Sequence, residues 1–222
     1  MFRKTLNYLV IAVFFCLCAV TIVIYASGYE IDLSNREISQ TSTLDIQSDT
    51  AETQIYINGK LEGSDRVVKA RLPHGDFRVE ISKKGYHSWV KKITLGLGQA
   101  VTIHGVILFS ENPKIEEFSL GDDPDKITKI ADTEDLFNSD GEIFQDNSLV
   151  TRFDADVSGL CWYPGKKYIA FTQNGKLKIM ENDGSNLTEI LDKTSSTPVV
   201  FANSGYSVIF ENNGKTLRAL IR

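Results

Sequence analysis

The sequence predicts a chain that is all-β after one N-terminal transmembrane helix. A small β-sandwich comes first, followed by incomplete propeller-like β-blades. Three observations predict this. The first is an uncharged apolar run from Leu9 to Ala26. The second is a period-2 alternation of apolar and polar residues over 43–108, punctuated by Asn-Gly and related turns. The third is a segment near the C-terminus that recurs at a spacing of 39 residues.

The apolar run reads LVIAVFFCLCAVTIVIYA, with Arg3 and Lys4 ahead of it and Glu30 and Asp32 behind. A helix of this length crosses a hydrocarbon core of about 30 Å. The basic flank stays in the cytoplasm, which puts the rest of the chain outside the cytoplasmic membrane. Residues 1–29 are therefore read as a cytoplasmic N-terminus and signal-anchor helix, single-pass, with residues 30–42 as a juxtamembrane linker. A cleaved signal peptide is the rival reading. Its apolar region would be about 7–15 residues long, shorter than this one. Ile24 is bulky for a cleavage site, although Ala26-Ser27-Gly28 keeps that option open. Lipidation is disfavoured, because Cys16 follows Phe14-Phe15 and Cys18 follows Leu17 rather than small residues.

Charge narrows the partners. The formal net charge is −5; Arg3 and Lys4 account for +2 and no acid precedes Glu30, so the exterior carries −7. Such a surface argues against nucleic acid, and against anionic lipid held by a general basic face. Fourteen Asp/Glu and four Lys/Arg lie between Glu111 and Asp156, whereas both flanking stretches are mildly basic. This shift in composition marks a boundary near 110–113. Cys161 is the lone cysteine outside the apolar run, so an internal disulfide cannot staple the exterior, which must fold on apolar burial.

Residues 43–109 form the first exterior unit. Phe77-Arg78-Val79-Glu80-Ile81-Ser82 alternates as a half-buried strand should. Leu44 with Ile46, and Val101 with Ile103, repeat the pattern. Ile55-Tyr56-Ile57 runs into Asn58-Gly59, a two-residue hairpin signal because a type I′ turn needs positive φ at both positions. Pro73-His74-Gly75-Asp76 and Lys84-Gly85-Tyr86 supply further turns. No stretch here carries a 3.6-residue period, and six or seven short strands at this spacing predict a small sandwich.

These residues resemble the PEGA domain. The family pattern of a strand, a glycine hairpin, a Leu-Pro-x-Gly turn with an alternating strand, and a Gly-Tyr pair is matched by Ile55 to Gly63, Leu72-Pro73-His74-Gly75 to Ile81, and Gly85-Tyr86. Ser64-Asp65-Arg66 stands where the family often has Thr-Pro. Asp49-Thr50-Ala51-Glu52 replaces the namesake tetrapeptide. The resemblance implies an envelope module of bacterial type and no particular chemistry.

Residues 110–222 are read as an acidic connector followed by two to three incomplete blades. Trp162 and Phe201, Phe171 and Phe210, Asn174 and Asn213, and Gly175 and Gly214 are each 39 apart. Each copy is an apolar strand, an Asn-Gly turn and an amphipathic return strand. A period near 40 is that of a propeller blade. A third copy around 127–153 is out of register. The first copy is similar to the TolB-like group of WD40-type repeats. Its matching residues are Trp162-Tyr163-Pro164-Gly165-Lys166-Lys167-Tyr168-Ile169-Ala170-Phe171, then Asn174-Gly175, then Leu177-Lys178-Ile179-Met180-Glu181-Asn182-Asp183-Gly184-Ser185. Closure takes at least four blades, and the second copy reaches Arg222 before a fourth strand of its own. The expectation is that the chain is a fragment, that its blades stack as an open sheet, or that a partner completes them.

Catalytic motifs are absent. Gly214-Lys215-Thr216 looks like the tail of a phosphate-binding loop, but the upstream glycine position is Ile209, and a hairpin turn explains Gly214 better. His74, His87 and His104 have no second His or Cys at metal-ligand spacing. The acids Asp122, Asp123, Asp125, Asp132, Glu134 and Asp135 lack calcium-loop spacing and read as a solvated connector. No catalytic, cofactor-binding or metal-binding residue is predicted, and no cofactor. Tyr86, His87 and Trp89, beside Lys83, Lys84, Lys91 and Lys92, are the candidate ligand contacts. An aromatic and basic face there would suit a sugar or an anionic wall polymer. The competing reading makes Tyr86 and Trp89 core residues, with the lysines guarding an edge strand. The expected function is a non-catalytic, membrane-anchored envelope protein that presents β-modules to an envelope polymer or envelope protein. The alternatives are the anchoring part of an envelope hydrolase or peptidase, and a sensor or assembly subunit completed by a partner.

Overall fold

Helix α1, Phe2–Ala26, contains the whole apolar run. The computed structural model describes residues 2–32, 37–118, 133, 135–192, 195 and 197–222. Within α1 no residue of the window Leu9–Ala26 is buried in the rest of the chain. Gly28 follows the helix at φ +77°, a left-handed residue that lets the chain leave it. The Gly28 carbonyl then accepts both the backbone N–H and the hydroxyl of Thr41, each at 2.8 Å. Between these two residues, where a linker is expected, strands β1 (Tyr29–Asp32) and β2 (Glu37–Gln40) form an antiparallel hairpin.

Seven strands build the sandwich: β3 (Ser42–Ser48), β4 (Gln54–Ile57), β5 (Lys60–Ser64), β6 (Arg66–Leu72), β7 (Gly75–Ser82), β8 (Trp89–Leu95) and β9 (Ala100–Val106). One sheet has the order β6-β3-β9, with β3 antiparallel to β6 and parallel to β9. The other has the order β5-β4-β7-β8 and is antiparallel throughout. The period-2 pattern decides what goes inside. Leu44 and Ile46 of β3 meet Ile55 of β4 and Val79 and Ile81 of β7, all fully buried. Burial of each such side chain contributes about 1.5–3 kcal/mol. Asn58 and Gly59 take φ values of 51° and 79°, as the predicted type I′ turn requires.

The remaining strands form three meanders. The first holds β11 (Leu136–Ser139), β12 (Glu142–Gln145) and β13 (Ser148–Arg152). The second holds β14 (Val157–Trp162), β15 (Tyr168–Gln173), β16 (Lys176–Glu181) and β17 (Thr188–Asp192). The third holds β18 (Val200–Ala202), β19 (Ser207–Asn212) and β20 (Lys215–Leu220), and its fourth strand is β10 (Lys114–Glu117). Strands β15 and β16 are displaced by 39 residues from β19 and β20 at both ends. The fourth strand of the third meander comes from upstream, through the β10–β20 pairing of Lys114 with Leu220 to Glu117 with Leu217. Much of the acidic stretch, including Asp122, Asp123, Asp125, Asp132 and Glu134, and the start of the supposed third copy lie outside the described residues.

The second meander is buried on both faces, and every residue of β15 is inside. Alternation divides its side chains. Ile169 and Phe171 pack toward the first meander with Leu136 and Ile143. Tyr168 and Ala170 pack toward the third with Phe201, Val208 and Phe210. Cys161 is fully buried there, its thiol against the Val199 carbonyl at 3.9 Å, as a small apolar residue.

Candidate functional site

The sandwich and the second meander meet along one edge of β8. Trp89 and Lys91 are two residues apart on this strand, so their side chains share a face. Across from them, Glu181 ends β16. On that strand Leu177, Ile179 and Glu181 alternate onto one buried face, so the carboxylate occupies the next position of an apolar row. The Trp89 indole N–H donates to Glu181 Oε1 at 2.8 Å. Lys91 Nζ donates to Glu181 Oε2 at 2.6 Å and to Asp183 Oδ2 at 2.6 Å. The Ser185 hydroxyl contacts Glu181 Oε2 at 2.9 Å, and its backbone N–H reaches Asp183 Oδ1 at 3.0 Å. Asn186 Oδ1 accepts the Val90 N–H at 3.0 Å. The turn 182–186 thus caps the β8 edge that the lysines were expected to guard.

Electrostatics follow from this geometry. Burial pushes the Glu181 carboxyl up, but the donors Lys91, Trp89 and Ser185 and the Lys91 charge outweigh it, and the net shift is downward. At Asp183 burial also raises the pKa, yet Lys91 and Ser185 bring it down to about 2. Burial lowers the Lys91 ammonium, and the two carboxylates more than reverse this. All three groups therefore stay charged through the neutral range. A carboxylate that is 3% exposed keeps its charge because each oxygen has a donor.

The segment joining the two modules is clamped. Phe109 inserts between Tyr163 and Tyr168, edge-on, with ring centroids at 5.6 Å from each. The Ile107 N–H donates to the Tyr168 hydroxyl at 2.9 Å, and the Leu108 N–H donates to Thr50 Oγ1 at 2.9 Å. Burial pushes the Tyr168 phenol far up, so it remains a neutral hydrogen-bonding group. Ser110 N–H donates to the Ile221 carbonyl at 2.9 Å, and Arg222 reaches the Asp49 carbonyl at 3.3 Å.

The predicted ligand contacts take separate places. Trp89 is 3% exposed and faces Glu181 across the module boundary. Tyr86 is half-buried, bridges to Ser110, and carries Lys83 Nζ 5.0 Å above its ring. His87 donates its backbone N–H to the Phe109 carbonyl at 2.9 Å. Its Nε2 is buried without a partner beside Asn186, whose Nδ2 is likewise unpaired, in a hollow of about 10 Å³, room for one water. A larger cleft of about 390 Å³ opens on the other side of Trp89, lined by Lys91, Ile103, His104, Lys167 and Glu181 among others. There Lys167 Nζ donates to the His104 carbonyl at 2.5 Å. Burial lowers the Lys167 pKa against the pull of Glu181 and Asp49.

His74 is exposed in its turn. Among the described residues no three His, Cys, Asp or Glu side chains converge as a metal site would require. Gly214 lies in the β19–β20 hairpin at φ 73°, as a turn residue. The sequence places Glu181, Asp183 and Lys167 in the TolB-like repeat pattern but predicts no contact role for them. The available signal was Glu181 at an apolar position of an alternating strand.

With this geometry in place, the relationship to known proteins is limited and specific. The family model of the PEGA domain matches residues 41–107, which include the whole seven-stranded sandwich. No curated protein matches the chain. The chain after its apolar helix thus begins with a β-module of the kind found in extracellular or envelope proteins, and the helix itself fits a membrane anchor or a signal sequence.

Proposed function

We propose that this chain is a non-catalytic, single-pass envelope protein whose PEGA sandwich and stacked meanders act as one rigid binding or scaffolding unit outside the cytoplasmic membrane. The observation that carries this reading is the buried junction of Trp89 and Lys91 with Glu181. A junction whose buried Glu181 carboxylate has a donor on each oxygen, together with an inserted Phe109, holds two modules in one orientation, which suits a spacer or docking platform above a membrane. Residues Leu9–Ala26 serve as the anchor, with Arg3 and Lys4 on the cytoplasmic side. The meanders are read as TolB-like blades, with β10 supplying the outer strand of the last one. Partners are an envelope polymer or an envelope protein, engaged through loops or strand edges.

Topology and activity are both testable. Protease added to cells with a permeable outer layer should digest residues 30–222 and leave a short membrane stub. Recovery of the protein in the soluble fraction with an N-terminus near Ser27 would support secretion after cleavage instead. The detergent-extracted full chain should turn over no wall, peptide or ester substrate. Hydrolysis that disappears on changing Cys161 or one of the three histidines would overturn the non-catalytic reading.

A further inference from the structure

The foot of α1 carries a second constellation that the junction does not use. Arg71, near the end of β6, reaches back to the helix. Its Nη2 donates to the Tyr25 carbonyl at 2.8 Å, and its guanidinium carbon lies 3.3 Å from the Tyr25 ring centroid. Arg71 holds φ at 60°, a conformation that few non-glycine residues adopt. Among the carboxylates whose side chains are described, none pairs with it. Beside it runs a groove of about 290 Å³ lined by Thr21, Ile24, Tyr25, Tyr29, Glu30 and Arg71.

Depth identifies what fills the groove. Thr21 lies five residues before Ala26, the end of the apolar span, so it sits about 7–8 Å inside that end at 1.5 Å per residue. The polar zone on each side of a bilayer is about 5–7 Å thick. The groove therefore crosses from hydrocarbon into headgroups. Its lower wall is apolar: Ile24 lies there, and the Thr21 hydroxyl already donates to the Leu17 carbonyl at 2.9 Å. Its upper wall carries one cation and one anion, flanked by two tyrosines of the kind that favour membrane interfaces. An arginine at this level that pairs with no described carboxylate matches a phosphodiester. Glu30 on the same groove disfavours a second negative charge and matches an ammonium.

We infer that this groove binds one phospholipid of the surrounding bilayer, its phosphate on Arg71, its headgroup ammonium toward Glu30 and an acyl chain along Ile24. The inference rests on the reading of Leu9–Ala26 as a retained anchor.

The test uses the full chain, purified in mild detergent, exchanged with phosphatidylethanolamine and weighed by native mass spectrometry. Wild type should retain one lipid, and Arg71→Gln should lower that occupancy at least fivefold. Ile24→Trp, which fills the groove and leaves Arg71 in place, should do the same. Glu30→Gln should remove a preference for phosphatidylethanolamine over phosphatidylglycerol. Glycerophosphoethanolamine and inorganic phosphate at millimolar concentration should not displace the lipid. Equal retention by wild type, Arg71→Gln and Ile24→Trp would overturn the proposal. Displacement by either soluble compound would also overturn it, since the site would then serve a free phosphate. Failure of the anchor reading is seen separately: the cell-extracted chain would lack its first residues and would leave the membrane in carbonate.

Discussion

Trp89 and Glu181 are separated by 92 residues and joined by a 2.8 Å hydrogen bond across the boundary of two modules. The indole N–H needs a partner once buried, and the carboxylate needs donors on both oxygens. Each solves the other's problem, and Lys91 completes the set.

Removing the cation should therefore do more harm than its partial exposure suggests. Lys91→Met leaves Glu181 buried with an unmatched charge. The loss should approach the lower end of the about 3–5 kcal/mol seen when a buried pair is broken from one side. Thermal unfolding should shift downward, and limited proteolysis should begin in the segment around Phe109. Lys91→Met combined with Glu181→Gln should recover part of the loss, because the stranded charge is gone.

Acid should loosen the junction. Glu181 and Asp183 have lowered pKa values in the folded chain, that of Asp183 about 2. Their contribution is full above the unfolded carboxylate range of about 4. It falls as pH drops through the folded values. Lys91 is shifted upward, so its contribution holds below about 10 and fades only in strong alkali. Melting temperature followed from pH 6 to pH 2 should fall, and the double variant Glu181→Gln, Asp183→Asn should fall less steeply.

The repeat makes paired predictions. Phe171 and Phe210 are equivalent, each packing toward the preceding meander, and both are buried. Truncation of either to Ala should cost about 3–5 kcal/mol. Asn174 and Asn213 hold φ at 51° and 50° in their turns. Gly should be accepted at both, whereas Val should destabilise, since a β-branched residue resists positive φ. Denaturant titration of the six single variants checks both: unequal losses at the two copies would undo the equivalence, and equal tolerance of Gly and Val at both turns would undo the hairpin assignment.

Gly205 offers a sharper steric test. A Cβ there would lie 2.2 Å from the Tyr163 hydroxyl oxygen, at a φ of +90°. That hydroxyl donates to the Gly205 carbonyl at 2.9 Å, and the Tyr163 ring packs edge-on against Phe201 at 4.9 Å. Gly205→Ala should cost about 2–4 kcal/mol from overpacking and backbone strain together. Adding Tyr163→Phe should relieve only the contact with the oxygen, leaving the ring clash in place.

Local chemistry made much of this protein legible from its residues alone. An uncharged run long enough for a bilayer reads as one helix. Alternation with period 2 reads as strands, and it correctly places Leu44, Ile46, Val79 and Ile81 inside the sandwich. Asn-Gly dictates its turn because few other pairs tolerate positive φ twice, and a spacing of 39 aligns β15 with β19 and β16 with β20. Each of these signals is contained in a short window or in a comparison of two windows. The tertiary structure decided the rest: that β10 pairs with β20, that Glu181 receives Trp89 and Lys91, and that Arg71 returns to Tyr25. These contacts join residues 46 to about 100 positions apart. They form because shape, unpaired strand edges and charge match once the modules are folded, and neither partner's neighbours in sequence record the match.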